Sequence, residues 1–399
     1  MTNSTTRRRF LASSAILAGS LALPIRAMAQ DGPIKLGTLT PLTGAGGPYG
    51  PVMADTVKAV VDGVNAAGGV LGRQIEVVSE DDQTNPEAGV RAARKLIDVD
   101  GVSAIMGTWA SSVTTAVAPL CWESGTMLTT VSGADSITLL PHEGYIVRTQ
   151  PNTILQGQKF GEFTVELGAG KVFFMSPQTP FADSQFSEIT KVVEAAGGST
   201  EKLIYDDKKP SYRSEVDEMM AFGPDVVVLG GYMPDTTVLL KDIYRAGYEG
   251  KMLAFAYSVN QKLVDALPAE VVEGIYTIAP SPAEGSAAYK ALTELTGIAS
   301  PDPYTTQIFD QVNMVILAIA AAGDASGTAI RDAFRTVSQG DGKPVHTALE
   351  GLEALAAGEA VNYDGASGPC DFTAEGDILD CQFRYEQVKD GAFTLLKIA

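Results

Sequence analysis

Short apolar runs alternate along this chain with stretches whose apolar residues recur every three or four positions. Residues 34–39 form one such run and predict a strand. Val57, Val60, Val61 and Val64 follow at helical spacing, one face of a helix that stops at Gly68-Gly69. Residues 74–78 predict a second strand. Asn85-Pro86-Glu87 reads as a helix start: a capping side chain, a proline whose missing N–H costs nothing in the first turn, and an acid facing the positive end of the dipole. Val90, Ala93 and Ile97 mark its buried side. Further strands are expected at 103–106 and 127–131, with a helix opening near Ser111 between them. This β-α-β-α-β-α-β order implies a parallel sheet with helices on both faces.

The rhythm restarts after Pro151. Strands are predicted at 172–175, 202–205, 226–229, 252–256 and 275–278, with helices at 185–196, 214–221 and 234–246 between them. Residues 286–358 are mostly helical in pattern, including 309–322. The tail from Val361 reads as a hairpin with turns at Glu375-Gly376-Asp377 and Lys389-Asp390-Gly391. The fold class is therefore α/β, with two Rossmann-like sheets of similar size in one chain.

The first segment breaks the pattern. Arginines at 7–9 precede an apolar stretch over 10–23 and then Ala27-Met28-Ala29, the order of a secretory signal with a small-residue cleavage site. Thr6-Arg7-Arg8-Arg9-Phe10-Leu11 resembles a bacterial twin-arginine signal; an ordinary secretory signal that happens to carry three arginines is the alternative. Residues 1–29 are expected to be removed near Ala29, and the rest to reside in the periplasm. No later stretch reads as a membrane span. The segment holds four arginines and no acids, so its loss takes the formal charge from −19 to −23. That balance argues against nucleic-acid binding, which needs clustered cations. Export also permits disulfides. Cys370 and Cys381 flank a turn and are expected to pair across a hairpin, while Cys121 reads as a buried free thiol.

The usual catalytic patterns fail. Gly44-Ala45-Gly46-Gly47-Pro48-Tyr49-Gly50 follows a strand and precedes a helix, but Tyr49 stands where a dinucleotide fingerprint needs its third glycine. No phosphate-binding Gly-Lys-Ser/Thr follows, and no nucleophile elbow appears. His142 and His346 are the only histidines and sit in a turn and a loop. Glu80-Asp81-Asp82 lacks the alternate spacing of a calcium loop and reads as a strand-end polar cluster. No catalytic activity, cofactor or metal is expected.

Strand ends are more informative, because open α/β sheets bind ligands there. Trp109-Ala110-Ser111-Ser112 follows the third strand and opens a helix, whose free N–H groups suit a carboxylate. Ser132-Gly133-Ala134 follows the fourth. Phe181, Tyr232 and Tyr257 end strands of the second unit. With Tyr49 and Trp109 they are expected to face one cleft.

At these residues the chain resembles the leucine/isoleucine/valine-binding proteins, solute receptors of branched-chain amino-acid ABC transporters. The marks are Ile34-Lys35-Leu36-Gly37, Pro41-Leu42-Thr43-Gly44, Tyr49-Gly50, the segment 65–73 (NAAGGVLGR), Glu80-Asp81-Asp82-Gln83 with Pro86, Gly107 with Ser111-Ser112, and 361–372. The resemblance implies the type I periplasmic binding fold: two lobes joined by a three-strand hinge that closes on a ligand. Carried over, lobe 1 spans 31–150 and 281–360, and lobe 2 spans 151–280 and 361–399. The ligand carboxylate falls to Ser111 and to backbone groups at Ser132 and Ala134, and the walls to Tyr49, Phe181 and Tyr232. Two positions depart. The family's threonine, which helps hold the α-ammonium, aligns with Ala134, and its acidic residue aligns with Tyr257. Asp183 or Glu284 would have to substitute. The resulting expectation is a monomeric periplasmic receptor that serves an inner-membrane ABC permease. Its small-molecule ligand is a carboxylate with an apolar or aromatic body and no ammonium. A true branched-chain amino-acid receptor, a ligand sensor and an exported enzyme are the alternatives.

Overall fold

The computed structural model describes residues 32–399, and the export-signal expectation over 1–29 lies outside them. Pro33–Ala399 forms one unit. Its first sheet is wholly parallel, in the order β2-β1-β3-β4-β5, from β1 (Ile34–Thr40), β2 (Ile75–Asp81), β3 (Ala104–Gly107), β4 (Met127–Thr130) and β5 (Ile146–Arg148). Its core strands read as continuous buried runs because helices cover both faces, so no alternation is left. The valine face predicted at 57–64 is buried in this core.

The second sheet takes β6 (Lys171–Pro177), β7 (Ser199–Tyr205), β8 (Val226–Leu229), β9 (Lys251–Phe255) and β10 (Tyr276–Pro280) as parallel strands. The chain then leaves. It adds β11 (Lys343–Val345) and β12 (Val361–Tyr363) as a small parallel pair beside the helices of 287–356. It returns as β13 (Phe383–Lys389) and β14 (Ala392–Ile398), both antiparallel to their neighbours. The final order is β14-β13-β10-β9-β8-β6-β7. The backbone passes between the sheets at 149–152, 281–286 and 364–382, the three connections of a type I periplasmic binding fold.

The Pro303–Ala322 helix corrects one reading. Over its 20 residues it is apolar enough to span a bilayer, yet 83% of its most apolar window is buried inside the protein. It is the central core helix, buried on every side together with its polar residues Gln307, Asp310, Gln311 and Asn313.

The tail also differs from expectation. Val361, Tyr363, Ala366, Cys370, Phe372 and Ile378 are buried in the first sheet's core, so only residues from Phe383 onward join the second sheet. The hairpin within the second sheet is β13–β14, turning at Asp390-Gly391. The 373–377 turn closes a shorter bridge between Phe372 and Ile378. That register sets Cys370 opposite Asp380 rather than Cys381, and the expected disulfide is not formed: Cys121, Cys370 and Cys381 are free thiols. Cys370 lies in the core, while Cys381 donates to the Gln382 carbonyl. Burial raises both thiols, Cys381 to about 12, and so suppresses the thiolate that disulfide exchange needs.

Candidate functional site

The carboxyl ends of both sheets meet at one cluster of rings. Trp109 follows β3 through Thr108, whose φ of 54° is unfavourable for a β-branched residue. The turn is held by Thr108 N–H donating to the Leu39 carbonyl and by the Thr108 hydroxyl donating to that of Thr130. Trp109 is thereby placed against partners from both sheets. It stacks on Tyr49 at 5.6 Å between centroids, lies 5.6 Å from Tyr232, and meets Tyr257 and Tyr304 edge-on at 5.5 and 5.8 Å. Phe181 and Phe255 extend the cluster from Tyr257 at 6.0 and 5.5 Å. Burial lifts the hydroxyls of Tyr232, Tyr257 and Tyr304 well above the ordinary tyrosine range, so all are neutral donors.

The walls touch directly. The Tyr49 hydroxyl donates to the Tyr257 carbonyl at 3.3 Å and accepts from Asn260 Nδ2 at 2.9 Å. Trp109, Ser111, Gly133, Gln150, Thr179 and Phe181 line a space that also includes Tyr232, Tyr257 and Tyr304. The free space among them is only about 30 Å³, far below the roughly 300–1,000 Å³ typical of small-molecule sites, because the rings of the two walls pack against one another across it.

The polar end belongs to the first sheet. The Ser111–Ser124 helix has Ala110 at its N-cap, which offers no side chain to the first-turn N–H groups of Ser111 and Ser112. The Ser111 hydroxyl accepts from the Ala134 N–H at 3.2 Å, which engages that N–H and leaves the hydroxyl hydrogen to donate. A hydroxyl and uncapped helix N–H groups can together hold an anion. At Ser132 the backbone N–H donates to the Thr130 hydroxyl at 3.1 Å, and the side-chain hydroxyl donates to the Thr108 and Trp109 carbonyls at 2.8 and 3.0 Å, bracing the loop.

Two carboxylates lie near the rings. Asp235 accepts from the Tyr205 hydroxyl at 2.7 Å and from the Tyr232 N–H at 3.0 Å, and burial pushes it up to about 6. Asp82 accepts from Thr84 N–H at 2.7 Å and burial pushes it up to about 7; its Oδ2 has no partner among the described residues. The two acids named as substitutes for an ammonium partner are engaged elsewhere. Asp183 pairs with Lys202 at 2.8 Å and Glu284 with Arg384 at 2.9 Å. Among the described residues no group of three or more His, Cys, Asp or Glu could hold a metal ion.

The structure thus gathers Tyr49, Trp109, Ser111, Ala134, Phe181, Tyr232 and Tyr257 at one place. Sequence reasoning missed Tyr304, Gln150 and Asp235. Asp302-Pro303 marked a helix start beside Tyr304, since Asp302 caps the N–H groups of Tyr304 and Thr305. No local signal showed that this end would reach the cleft.

Comparison with known proteins agrees with this architecture. A family model described as a periplasmic binding protein matches residues 33–392. A leucine-, isoleucine-, valine-, threonine- and alanine-binding protein of Pseudomonas aeruginosa is 26% identical over 93% of this chain and 94% of its own. A leucine-binding protein from Thermotoga maritima superposes with a TM-score of 0.78 at 20% identity, covering 92% of this chain and 98% of that one. An ABC-transporter solute-binding protein from Rhodopseudomonas palustris, solved with benzoate, gives 0.75 at 20% identity, covering 92% and 96%. The chain belongs to the periplasmic binding protein family.

Proposed function

We propose that this member of the periplasmic binding protein family is the solute receptor of an ABC importer, and that its ligand is a small aromatic carboxylate without an α-ammonium. The observation that carries the reading is the ring cluster around Trp109 set beside the Ser111 hydroxyl and the uncapped start of its helix. Flat rings suit a flat apolar body, and their polar edges suit a ring substituent. A bound ammonium would need an anion in a buried setting, since an uncompensated charge costs several kcal/mol. Tyr257 stands where the family places that acid. The benzoate-bound relative shows that this fold can accommodate such a ligand in another protein.

In this reading residues 1–29 direct export by the twin-arginine route. The mature chain works as a monomer that presents its ligand to an inner-membrane permease. Lobe 1 comprises 31–150 and 281–360, joined by the buried stretch 361–378. Lobe 2 comprises 151–280 and the strands after Phe383. The lobes close about the three connections, bringing Tyr49 onto Tyr257 and Asn260.

Asp235 favours a second reading, an amino-acid receptor, because it accepts from the Tyr232 N–H at 3.0 Å and so places a carboxylate beside the ring cluster. Calorimetry with benzoate, 4-hydroxybenzoate and phenylpyruvate against phenylalanine and leucine separates the two. The acids should bind and the amino acids should not. Tighter binding of leucine or phenylalanine would overturn the aromatic-acid reading in favour of the second.

A further inference from the structure

In a chain of formal charge −19, Arg148 is the one Lys or Arg fully buried among the described residues. It ends β5, and its side chain is 0% exposed. Every edge of the guanidinium is used. Nη1 donates to the Ala134 carbonyl at 2.7 Å, Nη2 to the Thr138 hydroxyl at 2.7 Å, and Nε to Asp377 Oδ1 at 2.5 Å. Its backbone N–H donates to the Gly376 carbonyl.

A buried ion pair is a poor way to stabilise a fold, because desolvation offsets most of the attraction. Its position suggests another use. The residue whose carbonyl Arg148 grips is Ala134, whose N–H points at Ser111 Oγ. Other bonds pin the same loop: Thr153 N–H donates to the Gly133 carbonyl, Asp135 N–H to the Thr153 hydroxyl, and Ile154 N–H to Asp135 Oδ1. The guanidinium holds the Ala134–Asp135 peptide by its carbonyl, and with it the loop whose Ala134 N–H bonds the Ser111 hydroxyl, and it places a positive charge behind that hydroxyl. Asp377 largely neutralises that charge. It also accepts from Asn152 Nδ2 at 3.3 Å, which ties the arrangement to the first connection between the sheets.

We propose that Arg148 is the positioning residue for the ligand carboxylate, acting through the loop at Ala134 and the Ser111 hydroxyl that this loop orients, and that Asp377 sets how much of its charge the ligand feels. The inference rests on the carboxylate lying at Ser111 and the start of its helix. The test is calorimetry with benzoate and its neutral isostere benzamide on the wild type, Arg148→Met, Asp377→Asn and Ser111→Ala. Arg148→Met should weaken benzoate about tenfold or more and leave benzamide within about threefold, because only the anion loses a charge-assisted setting. Asp377→Asn keeps an oxygen for Arg148 Nε but removes the neutralising charge, so benzoate should bind about threefold tighter and benzamide unchanged. Equal effects on both probes, or no effect on benzoate in a protein that Ser111→Ala still weakens, overturn the role of Arg148 alone. Benzoate indifferent to Ser111→Ala, or unbound by the wild type, overturns the carboxylate placement and this inference with it. If Arg148→Met does not fold, Asp377→Asn decides: unchanged or weaker benzoate binding overturns the proposal.

Discussion

The two walls of the cleft are made of the same parts, strand ends running into helix N-termini, yet they offer a ligand opposite chemistry. On the second wall the helix starts satisfy themselves. Thr179 caps Ala182, Asn260 caps Leu263, and Asp235 accepts the Tyr232 N–H at the start of the Met233–Arg245 helix. On the first wall, Ala110 and Tyr49 stand at N-caps and provide no side-chain acceptor. Backbone N–H groups left without a cap are receptive to an anion. The first wall therefore leaves the start of the Ser111–Ser124 helix open, although Asp82 and the capping Asp302 lie on it too. Both walls carry rings, and the second adds Asp235. In the proposed reading an anion meets the missing cap first, with Arg148 behind it.

The sharpest way to break that comparison is to remove the ring that joins the walls. Trp109→Ala deletes a side chain only 6% exposed that touches rings from both sides. Benzoate affinity should fall about a hundredfold or more, the scale of a central aromatic hot spot. A loss under about tenfold would mean that the ligand body lies elsewhere. Next in size is the contrast between caps. Ser111→Ala should weaken benzoate about ten- to a hundredfold, as expected for one charge-assisted hydrogen bond. Thr179→Ala should cost about 1 kcal/mol of stability as a lost cap and, though Thr179 lines the same space, weaken benzoate by no more than about threefold. Equal losses of affinity in both variants would erase the distinction between the walls.

Much of this polarity could be read along the chain, and the unread part has a physical cause. Period and run length located Val57, Val60, Val61 and Val64 in the core and put Trp109, Tyr232 and Tyr257 at strand ends, because those signals are local. Tyr304 could not be placed, since its position depends on the connection at 281–286 carrying a distant helix back to the first sheet. The backbone N–H groups expected at the anion, those of Ser132 and Ala134, donate to the Thr130 and Ser111 hydroxyls, contacts across the loop that no local pattern encodes. The Cys370–Cys381 expectation failed by one residue of register, which composition does not encode. Arg148 did leave a trace, a lone cation in the apolar run 145–148, and a charge in such a run signals a buried partner.

A smaller effect tests the second wall's acid. Burial raises Asp235 to about 6, so it is neutral below that pH and anionic above it. Asp82, raised to about 7, charges in the same direction. A carboxylate ligand is anionic throughout, so each deprotonation adds repulsion and benzoate should weaken about three- to tenfold from pH 5 to pH 8. Asp235→Asn should flatten most of that slope. A cationic group would respond with the opposite sign. Leucine binding that tightens over the same range, and loses the trend in Asp235→Asn, would identify Asp235 as an ammonium partner.

The smallest expected change concerns the contact that holds the walls together. The Tyr49 hydroxyl spans them, donating to the Tyr257 carbonyl and accepting from Asn260. Its ring is separate from that task, stacked on Trp109 and edge-on to Tyr304 at 5.2 Å. Tyr49→Phe keeps the ring and removes only the bridge. One of the two hydrogen bonds is long, and a net hydrogen bond contributes about 0.5–1.5 kcal/mol, so benzoate affinity should drop about two- to fivefold. The loss should appear in dissociation, because a bridge formed after the walls meet slows reopening and leaves encounter unchanged. Stopped-flow traces should therefore show a faster off-rate and an unaltered on-rate. Asn260→Ala should act no further in the Tyr49→Phe background than alone, since both remove the same contact. Independent, additive effects would show that Tyr49 and Asn260 do not act as one latch.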